Sequence, residues 1–162
     1  MFTESEANAL ITAEQIIIKN KDASFVAEYS KAITKIKSIL RSNTRDNVDL
    51  LSKRIVNFQN FKSEWTSNHL TTIQMALTNL YKIQMDYSSA DNTETNRIIE
   101  PFALYYSQEN WVLIAWCHLR NSYREFRLDR IQRLVMLNDK FESHKKTLQE
   151  YFDTYKEQKL NP

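Results

Sequence analysis

The stretch Trp111–Ile131, WVLIAWCHLRNSYREFRLDRI, decides how the chain is read. From Trp111 to Cys117 nearly every side chain is apolar, so both faces of a strand there are buried, as at the centre of a small barrel. The apolar run stops at His118, and Asn121 with Ser122 supplies a tight hairpin. The returning segment YREFRLDRI mixes apolar and charged groups, and further β-structure is expected to Leu137. The chain contains no glycine, so left-handed turn positions are expected at Asn, Asp or Ser.

Working outward, short β-branched and aromatic runs precede this hairpin: IQMDY, then RIIEP, then FALYY, separated by the turn segments SSADNTETN and SQEN. They predict a meander of short antiparallel strands beginning near Lys82. Upstream the period changes to helical. Thr3 and Glu6 form a capping box for a helix to about Ile18, and Asp22 caps a second one carrying the stripe Phe25, Val26, Tyr29, Ile33, Ile36, Leu40. The two form an antiparallel hairpin. A polar break at Asn43 to Asn47 leads to a short helix at Val48 to Arg54 and a strand-like Ile55 to Phe61. An amphipathic helix from Leu70 ends near Tyr81. After Asn138 the spacing of Leu148, Tyr151, Phe152 and Tyr155 predicts a closing helix.

The fold class is therefore α+β. Its expected parts are a helical linker and dimerisation region at 1–68, a small antiparallel barrel at 69–138, and a C-terminal helix at 139–162.

The 162 residues carry a formal net charge of +2, so bulk electrostatics argues for neither nucleic acid nor an anionic membrane as a partner. No apolar run is long enough to span a bilayer, and no leader is readable in MFTESEAN. Cys117 is the single cysteine, which excludes an intrachain disulfide, and no Cys/His spacing suits a metal. No cofactor is expected, and a cytoplasmic setting fits best.

Against this neutral background five arginines fall close together: Arg120, Arg124, Arg127, Arg130 and Arg133, opposed by Glu125 and Asp129. A guanidinium fork pairs bidentately with phosphate or carboxylate and stacks on bases, which an ammonium does not. Cross-strand ion pairing is the other reading, and spacing alone leaves both open. Trp111 and Trp116 sit in apolar strands and read as core. His69, His118 and His144 are scattered, and Cys117 and His118 point to opposite faces of a strand, so neither a triad nor a Cys/His nucleophile pair is expected. The chain is not read as an enzyme.

The string ENWVLIAWCHLRNSYREFRLDRI, preceded by RIIEPFALYY, resembles the WYL domain, an Sm/SH3-like β-barrel that follows a winged helix-turn-helix in many bacterial regulators. The likeness covers roughly Leu70 to Leu137. The three residues that name the family are Trp111, Val112 and Leu113 here, with valine replacing the tyrosine. Glu100, Pro101, Tyr105, Tyr106, Arg120, Arg124 and the run Phe126 to Ile131 match the rest. The resemblance implies that Arg120, Arg124, Arg127 and Arg130, with His118 and Tyr105 as neighbours, line a pocket for a nucleotide-like or single-stranded nucleic-acid effector. Asp129 would orient an arginine, and Glu100 would anchor an arginine or backbone amides. The N-terminal helices resemble the linker of DeoR-like, YafY-type regulators. The implied function is effector sensing within a homodimeric transcription regulator, with operator DNA reached only through a helix-turn-helix absent from this chain. A direct single-stranded nucleic-acid-binding module is the alternative.

Overall fold

The computed structural model describes residues 1–56 and 65–160. Its elements run α1 (Glu4–Ile17), α2 (Ala23–Ile39), α3 (Ser42–Arg54), α4 (Leu70–Asn79), β1 (Tyr81–Ser88), β2 (Glu94–Ser107), β3 (Asn110–Cys117), β4 (Ser122–Arg127), a 3-10 turn (Leu128–Arg130), β5 (Ile131–Lys140) and α5 (Leu148–Leu160). Two compact units divide it: Met1–Thr71 with Gln108–Asn110, and Thr72–Ser107 with Trp111–Pro162.

In the first unit the capping box forms as read. Thr3 Oγ1 accepts from Glu6 N–H at 3.2 Å and Glu6 Oε2 accepts from Thr3 N–H at 2.7 Å. Ala7, Ile11, Ile33, Leu40 and Val48 make the core, with Leu10, Tyr29 and Ile36 packed against it. The α2 stripe is thus used largely inside its own unit. The break expected at Asn43 to Asn47 is instead the first half of α3. Its polarity is that of a solvated helix, and Arg45 reaches back to end α2, donating to the carbonyls of Lys37, Ser38 and Leu40 at 2.9–3.0 Å. Those are three of the orphan acceptors every helix end leaves. Ile55 is extended, while the rest of the strand-like segment, from 57 onward, lies outside the described residues.

In the second unit the antiparallel pairs β1–β2, β1–β5 and β3–β4 belong to a five-stranded sheet of order β4-β3-β2-β1-β5. The expected barrel does not close. β4 and β5 are the two ends of the order, and the 3-10 turn Leu128–Arg130 carries the chain out of β4 before it pairs with β1. RIIEP and FALYY are one strand, not two, because β2 continues through buried Pro101. Extended backbone tolerates the fixed φ of proline at the loss of one donor. β3 buries Val112 through Ala115 without alternation, as its apolar run implied.

Among the described residues five carry positive φ: Leu80 (61°), Asn92 (62°), Gln108 (49°), Glu109 (61°) and Asn121 (48°). Only two of them are asparagine. Leu80 ends α4 in the left-handed position where glycine is usual, and Gln108–Glu109 turns β2 into β3 with two consecutive left-handed residues. Helix α5 starts at its own capping box, with Glu150 N–H donating to Thr147 Oγ1 at 3.1 Å and Thr147 N–H to Glu150 Oε2 at 3.0 Å.

Candidate functional site: a cleft between the arginine hairpin and the C-terminal helix

Within the second unit, β4 is the last strand on its side of the sheet, and its register sets the site. Trp116 lies opposite Tyr123, Ile114 opposite Glu125, and Ala115 opposite Arg124. Directly paired residues share a face, so Trp116, Tyr123 and Glu125 stand together while Phe126 enters the core. The Trp116 and Tyr123 rings meet edge to face at 5.3 Å. Tyr151 of α5 packs on the same aromatic face, 5.8 Å from Tyr123 and 6.2 Å from Phe102. One helical turn on, the Tyr155 ring lies nearly parallel to that of Tyr151, their planes 13° apart.

Between hairpin and helix opens a cleft of about 610 Å³, lined by Trp116, Asn121, Ser122, Tyr123, Arg124, Glu125, Lys146, Tyr151, Thr154 and Tyr155. This size is in the range of small-molecule sites. Two cations, Arg124 and Lys146, and one carboxylate, Glu125, are among the lining residues. Lys146 Nζ sits 5.2 Å from the Tyr123 ring centroid, a cation–π contact. Glu125 is held at both oxygens: Oε2 accepts from Tyr105 OH at 2.8 Å and Oε1 from Tyr151 OH at 3.2 Å. Burial, with the adjacent Glu125 charge and hydrogen bond, pushes the Tyr105 phenol up to about 12. Tyr151 is raised too, by burial first and then by Glu125. Both hydroxyls therefore remain donors at neutral pH.

A second network shares Tyr123 with the cleft. Glu100 Oε1 accepts from His118 Nε2 at 3.0 Å, and His144 Nδ1 and Tyr123 OH share a hydrogen bond of 2.9 Å. His144 Nε2 is 3.0 Å from Glu100 Oε2, but out of line for a hydrogen bond. Glu100 thus faces two histidines rather than the arginine or backbone amides expected of it.

Of the six residues anticipated for a pocket, Arg124 alone is among those lining the cleft. Arg120 is exposed in the β3–β4 turn beside Asn121. Arg127 is folded onto Asp129, Nε to Oδ1 at 2.9 Å and Nη2 to Oδ2 at 2.6 Å, as the reading of Asp129 supposed. Asp129 is the first cause raising the Arg127 pKa. Arg130 lies in the 3-10 turn, and Arg133 of β5 lies in register with Asp86 of β1. His118 is engaged with Glu100, and Tyr105 fixes Glu125. Cys117 is buried, with its Sγ accepting from Arg97 Nη1 at 3.3 Å. Lys146, Tyr151, Thr154 and Tyr155 were not anticipated. For Tyr151 and Tyr155 the sequence signal is the three-and-four spacing that predicts a closing helix; Lys146 and Thr154 carry none.

Among the described residues no helix is long and apolar enough to cross a membrane. The class is that of a small α+β domain with an arginine-bearing hairpin and a ligand-sized cleft. Residues 68–136 match the WYL domain. It is 35% identical over 69 residues to an uncharacterized HTH-type transcriptional regulator, YobV, of Bacillus subtilis (strain 168). That alignment covers 43% of this chain and 22% of the relative, so this chain spans about a fifth of the relative's length. Among solved structures it is similar to proteasome accessory factor B/C (PafBC) of Arthrobacter aurescens, with a TM-score of 0.45 and 20% identity over 86% of this chain and 21% of that one.

Proposed function

We propose that this chain is an effector-sensing, non-enzymatic part of a transcription regulator and that its cleft takes a nucleotide-like or short single-stranded nucleic-acid ligand. The single observation that carries the reading is the composition of the cleft. Trp116, Tyr123 and Tyr155 offer ring surface for a base, and Arg124 and Lys146 offer positive charge for a phosphate. The likeness to YobV, an HTH-type transcriptional regulator, supports the regulatory half. A ligand that binds one arrangement of the protein better than another shifts the population between them, which is all that sensing requires. Operator contact would come from a helix-turn-helix outside this chain. A homodimer belongs to the same reading, because regulators of that kind engage paired half-sites. Such pairing would cover apolar groups that the helical unit leaves exposed, such as Ile16, Ile39 and Leu50.

The test is calorimetric titration with nucleoside monophosphates and with single-stranded oligonucleotides of two to twelve bases. Arg124→Ala with Lys146→Ala should abolish binding, while Arg127→Ala should retain it. A folded double variant that binds as the parent does would overturn the assignment. Two cations predict a shallow salt dependence, a slope of log K against log salt of about −1.4 for a single strand. A slope several times steeper, with affinity rising along the whole length series, would favour the plain nucleic-acid-binding module.

A further inference from the structure

We propose that Glu125 makes the cleft selective for guanine, reading the N1–H and N2–H donors of that base. The inference rests on the nucleotide reading of the cleft and goes beyond it to the identity of the base. Holding Tyr105 and Tyr151 uses one lone pair on each oxygen, but beside cations for phosphate the charge of the carboxylate repels that phosphate. It gains a purpose if it meets the other end of the ligand.

Its chemistry narrows what that end is. An ionised carboxylate has only acceptors, two oxygens with two lone-pair directions each. The hydroxyls of Tyr105 and Tyr151 each use one direction, on Oε2 and Oε1 respectively. Each oxygen keeps a further acceptor direction, and the two tyrosines hold the group in place. Two parallel acceptors match two parallel N–H donors, the arrangement that makes carboxylate pairing bidentate. Guanine alone among the common bases presents such a pair, at N1 and the exocyclic N2. Adenine and cytosine each set one amino donor beside a ring nitrogen acceptor, which the carboxylate repels. Uracil and thymine set one N–H between two carbonyls. Glu125, Trp116 and Tyr123 share a sheet face and line the same cleft, so a base stacked on either ring lies on the carboxylate's side of the sheet.

A bidentate match discriminates against the wrong base by about 1–3 kcal/mol. The full chain, titrated calorimetrically with GMP, IMP, AMP, CMP and UMP, should bind GMP about tenfold or more tightly than AMP, CMP or UMP. IMP, which keeps N1–H and lacks the amino group, should fall between. Glu125→Gln, which offers one acceptor and one donor, should bring GMP to the level of the others. Equal affinity for all five would overturn the base selection and leave the nucleotide cleft standing. An unaltered GMP preference in folded Glu125→Gln would overturn the role of Glu125. Binding of none of the five would overturn both readings.

Discussion

The Asp22 carboxylate accepts the backbone N–H of Leu70 on Oδ2 at 3.1 Å and that of Phe25 on Oδ1 at 3.0 Å, so a single side chain caps the starts of α2 and α4. Ser67 Oγ and His69 N–H also donate to Oδ2, at 2.6 and 3.0 Å. Asp22 is buried, at 1% exposure. An ordinary N-cap lost to alanine costs about 0.5–2 kcal/mol, and two are lost here at once. We expect Asp22→Ala to lower the unfolding free energy by about 1–4 kcal/mol in urea titrations. A change within error would show that water replaces the carboxylate at both caps.

The same residue gives a pH dependence with a definite sign. Burial works to raise the Asp22 pKa, but the hydrogen bonds from Ser24, Ser67, Phe25 and Leu70 outweigh it, and the net shift is downward. A depressed carboxylate stabilises fully above its unfolded value, about pH 3.9, and loses that contribution as pH falls through the lower folded value. The stability gap between the parent and Asp22→Ala should therefore be constant near neutrality and shrink below about pH 4. A gap that widened in acid would contradict the capping geometry.

The Tyr105 phenol should be visible by absorbance. Spectrophotometric titration should show Tyr105 ionising near 12, through burial and Glu125, with Tyr151 also above the usual tyrosine range. Glu125→Gln should return Tyr105 toward the usual value of about 10. Coincident titration curves for parent and variant would mean that the hydrogen bond to Glu125 does not form in solution.

The turn at Gln108–Glu109 carries two left-handed residues without glycine or asparagine. Asn-Gly suits such a two-residue hairpin. Replacing the pair with Asn-Gly should raise the unfolding free energy by about 1 kcal/mol, the scale of the strain relieved. Unaltered or lower stability would show that the native side chains compensate in ways backbone angles do not reveal.

How much of this was legible in residue order depends on range. The capping boxes, the unbroken apolar run of β3 and the helical periods were local, and local patterns survive folding. Asn43 to Asn47 misled because solvated helix and loop have the same polar composition, and only the reach of Arg45 to the end of α2 separates them. Barrel closure was illegible because it depends on whether β4 and β5 meet, which no single strand encodes. The arginines were visible as a count, but which of them face a cleft was not. Arg127 is bound up with Asp129, two residues away, whereas Lys146 joins Arg124 from across a loop and another strand. The recurrence of aromatic side chains at Tyr151 and Tyr155 was plain, but their partners Tyr123 and Glu125 belong to the opposite wall.

The matched stretch ends at residue 136, yet Lys146, Tyr151, Thr154 and Tyr155 of the cleft all lie beyond it. The strand-borne lining of the cleft thus falls inside the matched stretch and the rest of it falls outside. Under the proposed reading, the lining from Lys146 to Tyr155 can be varied without touching the strands, while the base contacts of Trp116, Tyr123 and Glu125 stay with the sheet. Grafting a different tail after Lys140 would then separate what the C-terminal lining adds to binding from what the strands supply.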